Sequence, residues 1–259
     1  MTTVQDLPLT VLPGTGPAVV LLPGGAAGCD DYFPDLVEGL PGRMVVKHDR
    51  SGTGRAPRPA DAPSLRSWSA DTVALLDSLG LDQVVLVGHS LGGALAAQLL
   101  MDAPARFSAA LLLDPTPVND PAQCKQIASS ARLLAKSIGL PVLGSGLEKV
   151  LVRASRPKGM GPSAQRSFRA MLVGDWIDDT ARATTHLHAD ALAFSDRRYA
   201  GDAKVLVVTA DRKPGHKARR AHEALAARLN GQVEVWPGTG HTVHLQRPDL
   251  VVERTLSLL

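Results

Sequence analysis

Gln83-Val-Val-Leu-Val-Gly-His-Ser-Leu-Gly-Gly93 is the stretch on which the fold turns. Gln83–Val87 is a β-branched and leucine run that reads as a buried strand, and the small residues Ala94–Met101 read as a helix. Between them the pattern Gly88-x-Ser90-x-Gly92 leaves no length for a loop, so strand must pass into helix through one sharp turn. Glycines on both sides of such a turn remove side chains that would collide, and the serine hydroxyl projects above the strand end. A serine that merely caps the helix is the competing reading. The strand before it and the helix after it favour a nucleophile.

Outward from this turn, short β-branched runs alternate with amphipathic stretches. Ala18–Leu22, Met44–His48, Ser108–Leu113, Lys204–Thr209 and Gln232–Trp236 read as strands; 64–79, His216–Leu229 and Pro248–Leu258 read as helices, with room for one helix between the first two strands. The alternation predicts an α/β fold, a mostly parallel central sheet flanked by helices. The interval 115–203 breaks the rhythm. It has no convincing strand but carries two apolar helical stripes, Ile127, Ala131, Leu134, Ile138 and Trp176, Thr180, Ala183, Leu187, Ala191, Phe194, with the Gly/Pro-rich stretch 156–162 between them. The organisation expected is a core of 1–114 and 204–259 with a helical lid of three or four helices, 115–203, inserted into it.

Composition excludes several classes. The 259 residues are 44% hydrophobic and 20% charged, as in a single large globular domain. No apolar run approaches the ~18 residues of a membrane span, and Met1–Leu12 lacks the basic start of a secretory signal, so no membrane partner and a cytoplasmic location are expected. Cys29 and Cys124 stand alone and build neither a disulfide framework nor a zinc knuckle. The net charge is only +3, and the basic cluster Arg212-Lys213 with His216–Arg220 has no interleaved aromatics, which favours a solvated helix face over a nucleic-acid surface. Neither G-x-G-x-x-G opening a helix nor GxxxxGK[ST] occurs, so no nucleotide cofactor is implied, and no cofactor or metal of any other kind. Nothing in the sequence speaks to oligomeric state.

A serine hydroxyl attacks well only beside a base with a pKa near neutrality, and histidine is its natural supplier. Among eight histidines, His241 lies on a Gly-rich stretch after the last strand. His244 reads as a loop or helix-start residue. A metal pair His241-x-x-His244 is disfavoured because no carboxylate or cysteine shares that stretch at ligand spacing. His186 and His188 fall on different faces of a helix, and His89 reads as a packing or hydrogen-bonding neighbour of the serine. An oxyanion formed on the attacked carbonyl needs two backbone N–H donors: Leu91 directly after the serine, and Gly25 or Ala26 after the first parallel strand.

Leu22-Pro-Gly-Gly25, Asp49-Arg-Ser-Gly-Thr-Gly54, the elbow at Ser90, Gly238-Thr-Gly-His241 and Arg247-Pro-Asp249 occur in an order and spacing that resemble the α/β-hydrolase family, in its lid-bearing serine branch. The resemblance covers nearly the whole chain outside 115–203. It implies the α/β-hydrolase fold with the lid after the sixth strand of the family's layout, Ser90 as nucleophile and His241 as base. It implies an enzyme that cleaves a carboxylic ester, thioester, lactone or related acyl bond through an acyl-serine, on a small-molecule acyl substrate, free or carrier-bound. A ligand-binding or regulatory protein, or a non-hydrolytic biosynthetic one, using the same lidded pocket is the alternative. Pro23-Gly24 and Ala56 depart from the family's usual His-Gly and Ser.

The acid is where the chain leaves the commonest layout, which has an aspartate a few residues beyond the seventh strand; Lys213 stands there. Asp114, ending Leu111-Leu-Leu-Asp114 beside the nucleophile strand, and Asp211 are the two candidates, with Asp114 preferred. In the lid, Met160, Phe168, Met171, Trp176 and Phe194 are candidate apolar liners. Phe168, Met171 and Trp176 are taken as substrate-binding, although residues on such stripes also pack a lid on itself.

Overall fold

The computed structural model describes residues 7–138, 150, 152–153, 156–172 and 175–259, so part of the expected lid and the start of Met1–Leu12 lie outside the described residues. Among the described residues seven strands form one sheet: β1 (Leu9–Leu12), β2 (Thr15–Leu22), β3 (Arg43–His48), β4 (Val84–His89), β5 (Phe107–Leu113), β6 (Lys204–Ala210) and β7 (Gln232–Trp236). Their spatial order is β1-β3-β2-β4-β5-β6-β7, with β1 antiparallel on β3 and every other pair parallel. β1 is an edge strand that the sequence reading did not single out; its Leu9 and Val11 remain exposed.

Both faces of the sheet are covered, which is why its central strands read as unbroken apolar runs. One face buries Val20, Leu22, Leu86, Ala110, Leu112 and Val207 under α1 (Leu65–Ser78), α2 (Leu91–Asp102) and α7 (Lys217–Arg228). The other buries Val19, Leu21, Val85, Val87, Leu111 and Val208 under the segment after β2 and the final helices α8 (Val243–Gln246) and α9 (Pro248–Leu258). α1 starts at a capping box in which Ser64 and Ser67 satisfy each other's backbone N–H. α2 is buried from Leu91 to Met101, its alanines and glycines allowing it to lie close on β4.

The helix expected between the first two strands is not there. Residues 29–42 run as a series of turns, with Pro34 and positive φ at Asp31 (57°) and Asp35 (60°) interrupting any helical ladder. Tyr32, Phe33, Leu36 and Leu40 nevertheless cover the sheet as a helix would.

The inserted segment carries α3 (Pro121–Ile138), α4 (Pro162–Ala170), α5 (Trp176–Ala183) and α6 (Leu187–Ser195) among its described residues. It leaves from β5, the fifth strand of this sheet, one fewer than the family's layout counts before a lid. α3 packs on α5 and α6, and Ala183, Leu187, Ala191 and Phe194 join the core above α2. Among the described residues, no helix is long and apolar enough to cross a membrane.

The elbow tolerates no added atoms. A Cβ at Gly92 would meet the Leu22 and Pro23 carbonyls, and one at Gly88 the Gly92 carbonyl. Gly92→Ala is expected to lower unfolding free energy by about 3 kcal/mol or more in urea titrations, as overpacking against backbone does. Gly161→Ala, which meets nothing within 4 Å, should stay within about 1 kcal/mol of wild type.

Candidate active site

Ser90 joins β4 to α2 with φ 52° and ψ −116°, a region that L-residues enter only under constraint. Its N–H donates to the Leu113 carbonyl at 3.1 Å, and its own carbonyl accepts from Thr116 N–H at 2.9 Å. The side chain makes no helix-cap bond, so the capping reading fails. Oγ is instead 3.0 Å from His241 Nε2, and His241 Nδ1 is 2.6 Å from Asp114 Oδ2. His241 follows β7 on the Gly-rich loop and Asp114 follows β5 at φ 42°, so three strand ends supply the three groups. The hydrogen-bond pattern assigns the proton of neutral His241 to Nδ1, leaving Nε2 to accept from the serine hydroxyl.

Asp114 is 1% exposed and fully engaged. Ala210 N–H reaches Oδ1 at 2.9 Å, and the Arg212 guanidinium grips both oxygens, Nη2 to Oδ2 at 2.6 Å and Nη1 to Oδ1. Burial pushes its pKa up, but the hydrogen bonds from Arg212 and His241 outweigh it and hold the carboxyl well below the usual range. Asp211 does not meet His241. Its carboxylate accepts from Gly238 N–H at 2.9 Å and its N–H donates to Thr239 O at 3.0 Å, steadying the loop that carries His241.

Beneath His241 lies a layer of buried rings. His89 Nε2–H donates to the His241 carbonyl at 2.9 Å while Nδ1 accepts from the Tyr32 hydroxyl at 2.7 Å. His244 is fully buried, stacked on Tyr32 at 4.8 Å and 4.1 Å from the His89 ring, with neither nitrogen bonded. Burial and neighbouring His241 push His89 down to about 3; burial and both neighbouring histidines push His244 well below its ordinary value.

The serine opens onto two chambers. One, about 460 Å³, is walled by Pro115, Thr116, Gln126, Ile127, Arg212, Lys217 and His222. The other, about 280 Å³, is walled by Gly24–Ala27, Met171, Leu172, Trp176 and Thr180. Met171 and Trp176 are therefore at the cavity, whereas Phe168 is not: it packs with Met160, Ala164 and Leu245, because its face of α4 rests on α8. Phe194 belongs to the core. On the loop after β2, Ala26 N–H points to Thr180 Oγ1 at 3.4 Å, and the Gly25 carbonyl accepts from the buried Arg50 guanidinium at 2.8 Å.

Arg212, His222, Tyr32 and Thr180 were not singled out from sequence. The basic cluster was read as a solvated face, yet Arg212 turns inward onto Asp114, with its side chain only 19% exposed. The cation that stands where the family usually has its acid is the neighbouring Lys213, so no sequence signal points to Arg212 itself.

The buried histidines make acid stability predictable. His48, held down at about 4, with His89, His222 and His244 all have folded pKa values below the unfolded ~6.5, so the unfolded chain binds more protons as pH falls. Stability should then fall from pH ~6.5 downward, by up to about 1.4 kcal/mol per pH unit for each histidine. His244→Phe keeps the stacking and removes one such proton. Urea titrations between about pH 6.5 and 4.5 should show a slope shallower by about one proton; parallel slopes would contradict this account of His244.

Three comparisons with known proteins agree. Residues 17–248 match the family model described as alpha/beta hydrolase fold. The chain is similar to RutD of Variovorax paradoxus (strain S110), a proposed carbamate hydrolase, at 33% identity over 64% of this chain and 59% of that protein, so that match leaves much of RutD unspanned. It is similar to the sn-1-specific diacylglycerol lipase ABHD11 of Mus musculus at 28% identity over 95% of this chain and 81% of the lipase. Among solved structures, a thermophilic esterase from Thermogutta terrifontis superposes with a TM-score of 0.71, covering 97% of this chain and 92% of the esterase at 20% identity. A serine on a glycine-flanked strand-to-helix turn, a sheet with one antiparallel edge strand and a family match over residues 17–248 lead to one conclusion: the chain belongs to the α/β-hydrolase family.

Proposed function

We propose that the protein is a serine hydrolase that cleaves a carboxylic ester, thioester, lactone or related acyl bond through an acyl-Ser90 intermediate. The observation that carries this reading is the unbroken relay from Ser90 Oγ to His241 Nε2 at 3.0 Å and from Nδ1 to Asp114 at 2.6 Å, open to both chambers. His241 takes the hydroxyl proton as Oγ attacks the acyl carbon, and later returns it to the leaving group. Asp114 orients the imidazole and stabilises its charged form. The oxyanion lies against the N–H groups of Leu91, at the start of α2, and Gly25, whose carbonyl accepts from Arg50; the neighbouring Ala26 N–H is directed to Thr180. Water then repeats the attack on the acyl-enzyme, and the route needs no cofactor or metal.

The apolar chamber beneath Trp176 and Met171 suits the acyl chain, and the larger, more polar one the leaving group, free or carrier-bound. The names of the relatives, a proposed carbamate hydrolase and a glycerolipid lipase, both describe attack on an acyl-type carbonyl. A reducing cytoplasm suits the two buried, unpaired thiols of Cys29 and Cys124. A ligand-binding or regulatory protein with the same pocket would lack turnover.

A fluorophosphonate probe should label wild type at Ser90 and leave Ser90→Ala unlabelled; labelling that survives the substitution refutes the acyl-serine route. On a panel of esters, thioesters and lactones, Asp114→Asn should lower kcat by about 10⁴-fold, as loss of the orienting carboxylate does. Asp211→Asn should remain within about tenfold. Trp176→Ala is expected to change the ranking of acyl-chain lengths. Phe168→Ala should instead cost roughly 3–5 kcal/mol of stability and leave that ranking intact.

A further inference from the structure

The loop after β6 brings a cation onto the very carboxylate that His241 uses. Asp114 Oδ2 is shared by His241 Nδ1 and Arg212 Nη2, each at 2.6 Å, while Oδ1 takes the second Arg212 amine and Ala210 N–H. Arg212 is itself held in place: Nη1 reaches Thr209 Oγ1 at 3.2 Å, and its carbonyl accepts from Arg219 Nη1 at 3.0 Å. Such a fork matches a carboxylate in geometry as well as in charge.

An aspartate beside a base histidine acts largely through its negative charge, which favours the imidazolium. Here a positive charge binds the same oxygen. We propose that Arg212 is a positioning residue acting through Asp114: it fixes the carboxylate's orientation and offsets its charge, so that His241 stays neutral and able to act as a base at lower pH than beside an unpaired aspartate. This rests on the proposed roles of Ser90, His241 and Asp114.

The other groups around this pair do not supply that charge. His222 on α7 is 3.7 Å from Oδ1, but it donates Nε2–H to Pro115 O at 2.8 Å and accepts the Thr209 hydroxyl at Nδ1, which leaves it neutral. His89 on β4 and His244 on α8 are buried beneath His241 and kept neutral by that burial. Lys217, at the start of α7, lines the same chamber but donates to Gln126 Oε1 at 2.7 Å in an exposed position, where solvent screens it. Asp211 is turned to Gly238 N–H.

The test is kcat/KM against pH for a p-nitrophenyl ester, with fluorophosphonate labelling rates as a second readout. The acid limb reports protonation of the base in free enzyme. In Arg212→Gln the limb should move up by about one pH unit or more, giving roughly tenfold loss near pH 6 and much less near pH 8. Arg212→Lys keeps the charge and should move the limb by less than about 0.3 unit while lowering kcat through loss of the fork. The double variant Asp114→Asn with Arg212→Gln leaves no buried ion unpaired, which covers misfolding of Arg212→Gln. With both charges gone its labelling limb should return to within about 0.3 unit of wild type. An unmoved limb in folded Arg212→Gln, equal shifts in the Gln and Lys variants, or a displaced limb in the double variant overturns the proposal. Wild type without Ser90-dependent turnover or labelling refutes instead the hydrolase reading, and this proposal with it.

Discussion

Helix α2 begins where the ends of β2, β4 and β5 converge, and the nearness of those backbones governs what the site can be. Gly88, Gly92 and Gly93 are the positions at which a single methyl group would strike neighbouring carbonyls or Pro115. Because nothing stands between them, Ser90 N–H reaches the Leu113 carbonyl and Thr116 N–H reaches the Ser90 carbonyl. The turn bearing the serine and the turn bearing Asp114 are therefore tied by main-chain bonds. Both residues have positive φ, an arrangement costing on the order of 1–3 kcal/mol each. The buried apolar strands on either side offset that cost, and the reactive geometry is a property of the sheet rather than of flexible loops.

How much of this was legible beforehand follows from how local each signal is. The elbow, the parallel strands and the position of His241 are written in short contiguous patterns, and the sheet has the strand ends within three residues. Asp114 was recoverable because its strand had to neighbour β4. The segment after β2 has the length for a helix, and length alone does not show that Pro34 and the two aspartates at positive φ break the ladder. Phe168, Met171 and Trp176 looked alike because a helical stripe marks a buried side without saying whether protein or cavity lies opposite; the structure divides them. Arg212 was the least legible, since its partner lies 98 residues earlier in the chain and a basic run ordinarily faces water.

The layer under His241 gives the site an unusual floor. Tyr32, His89 and His244 present three polar rings in a space that excludes water, yet only Tyr32 and His89 are linked to each other and to the His241 carbonyl. Burial keeps both histidines uncharged, so they shape the loop through contact and dipole and add no competing charge beneath His241. His241 thus sits over neutral rings, with Asp114, Arg212 and Lys217 on one side of the serine and the buried Arg50 guanidinium behind Gly25 on the other.

Asp114 is also the last residue before the inserted helices, and that adjacency limits how the insertion can be exchanged. Thr116 N–H holds the Ser90 carbonyl, and the Pro115 carbonyl accepts from His222 on the opposite side. Residues 115 and 116 thus pack with the core although they begin the insertion. A segment transplanted from another member of the family could be joined no earlier than Pro117 without breaking the contacts that hold Asp114 beside Ser90 and His241. At the far end, the join before β6 lies at the other end of that strand from Ala210 and Arg212, which contact Asp114, so the two junctions differ in kind. One is bound to Ser90 and Asp114 themselves; the other is an ordinary splice point at which divergent sequence can enter.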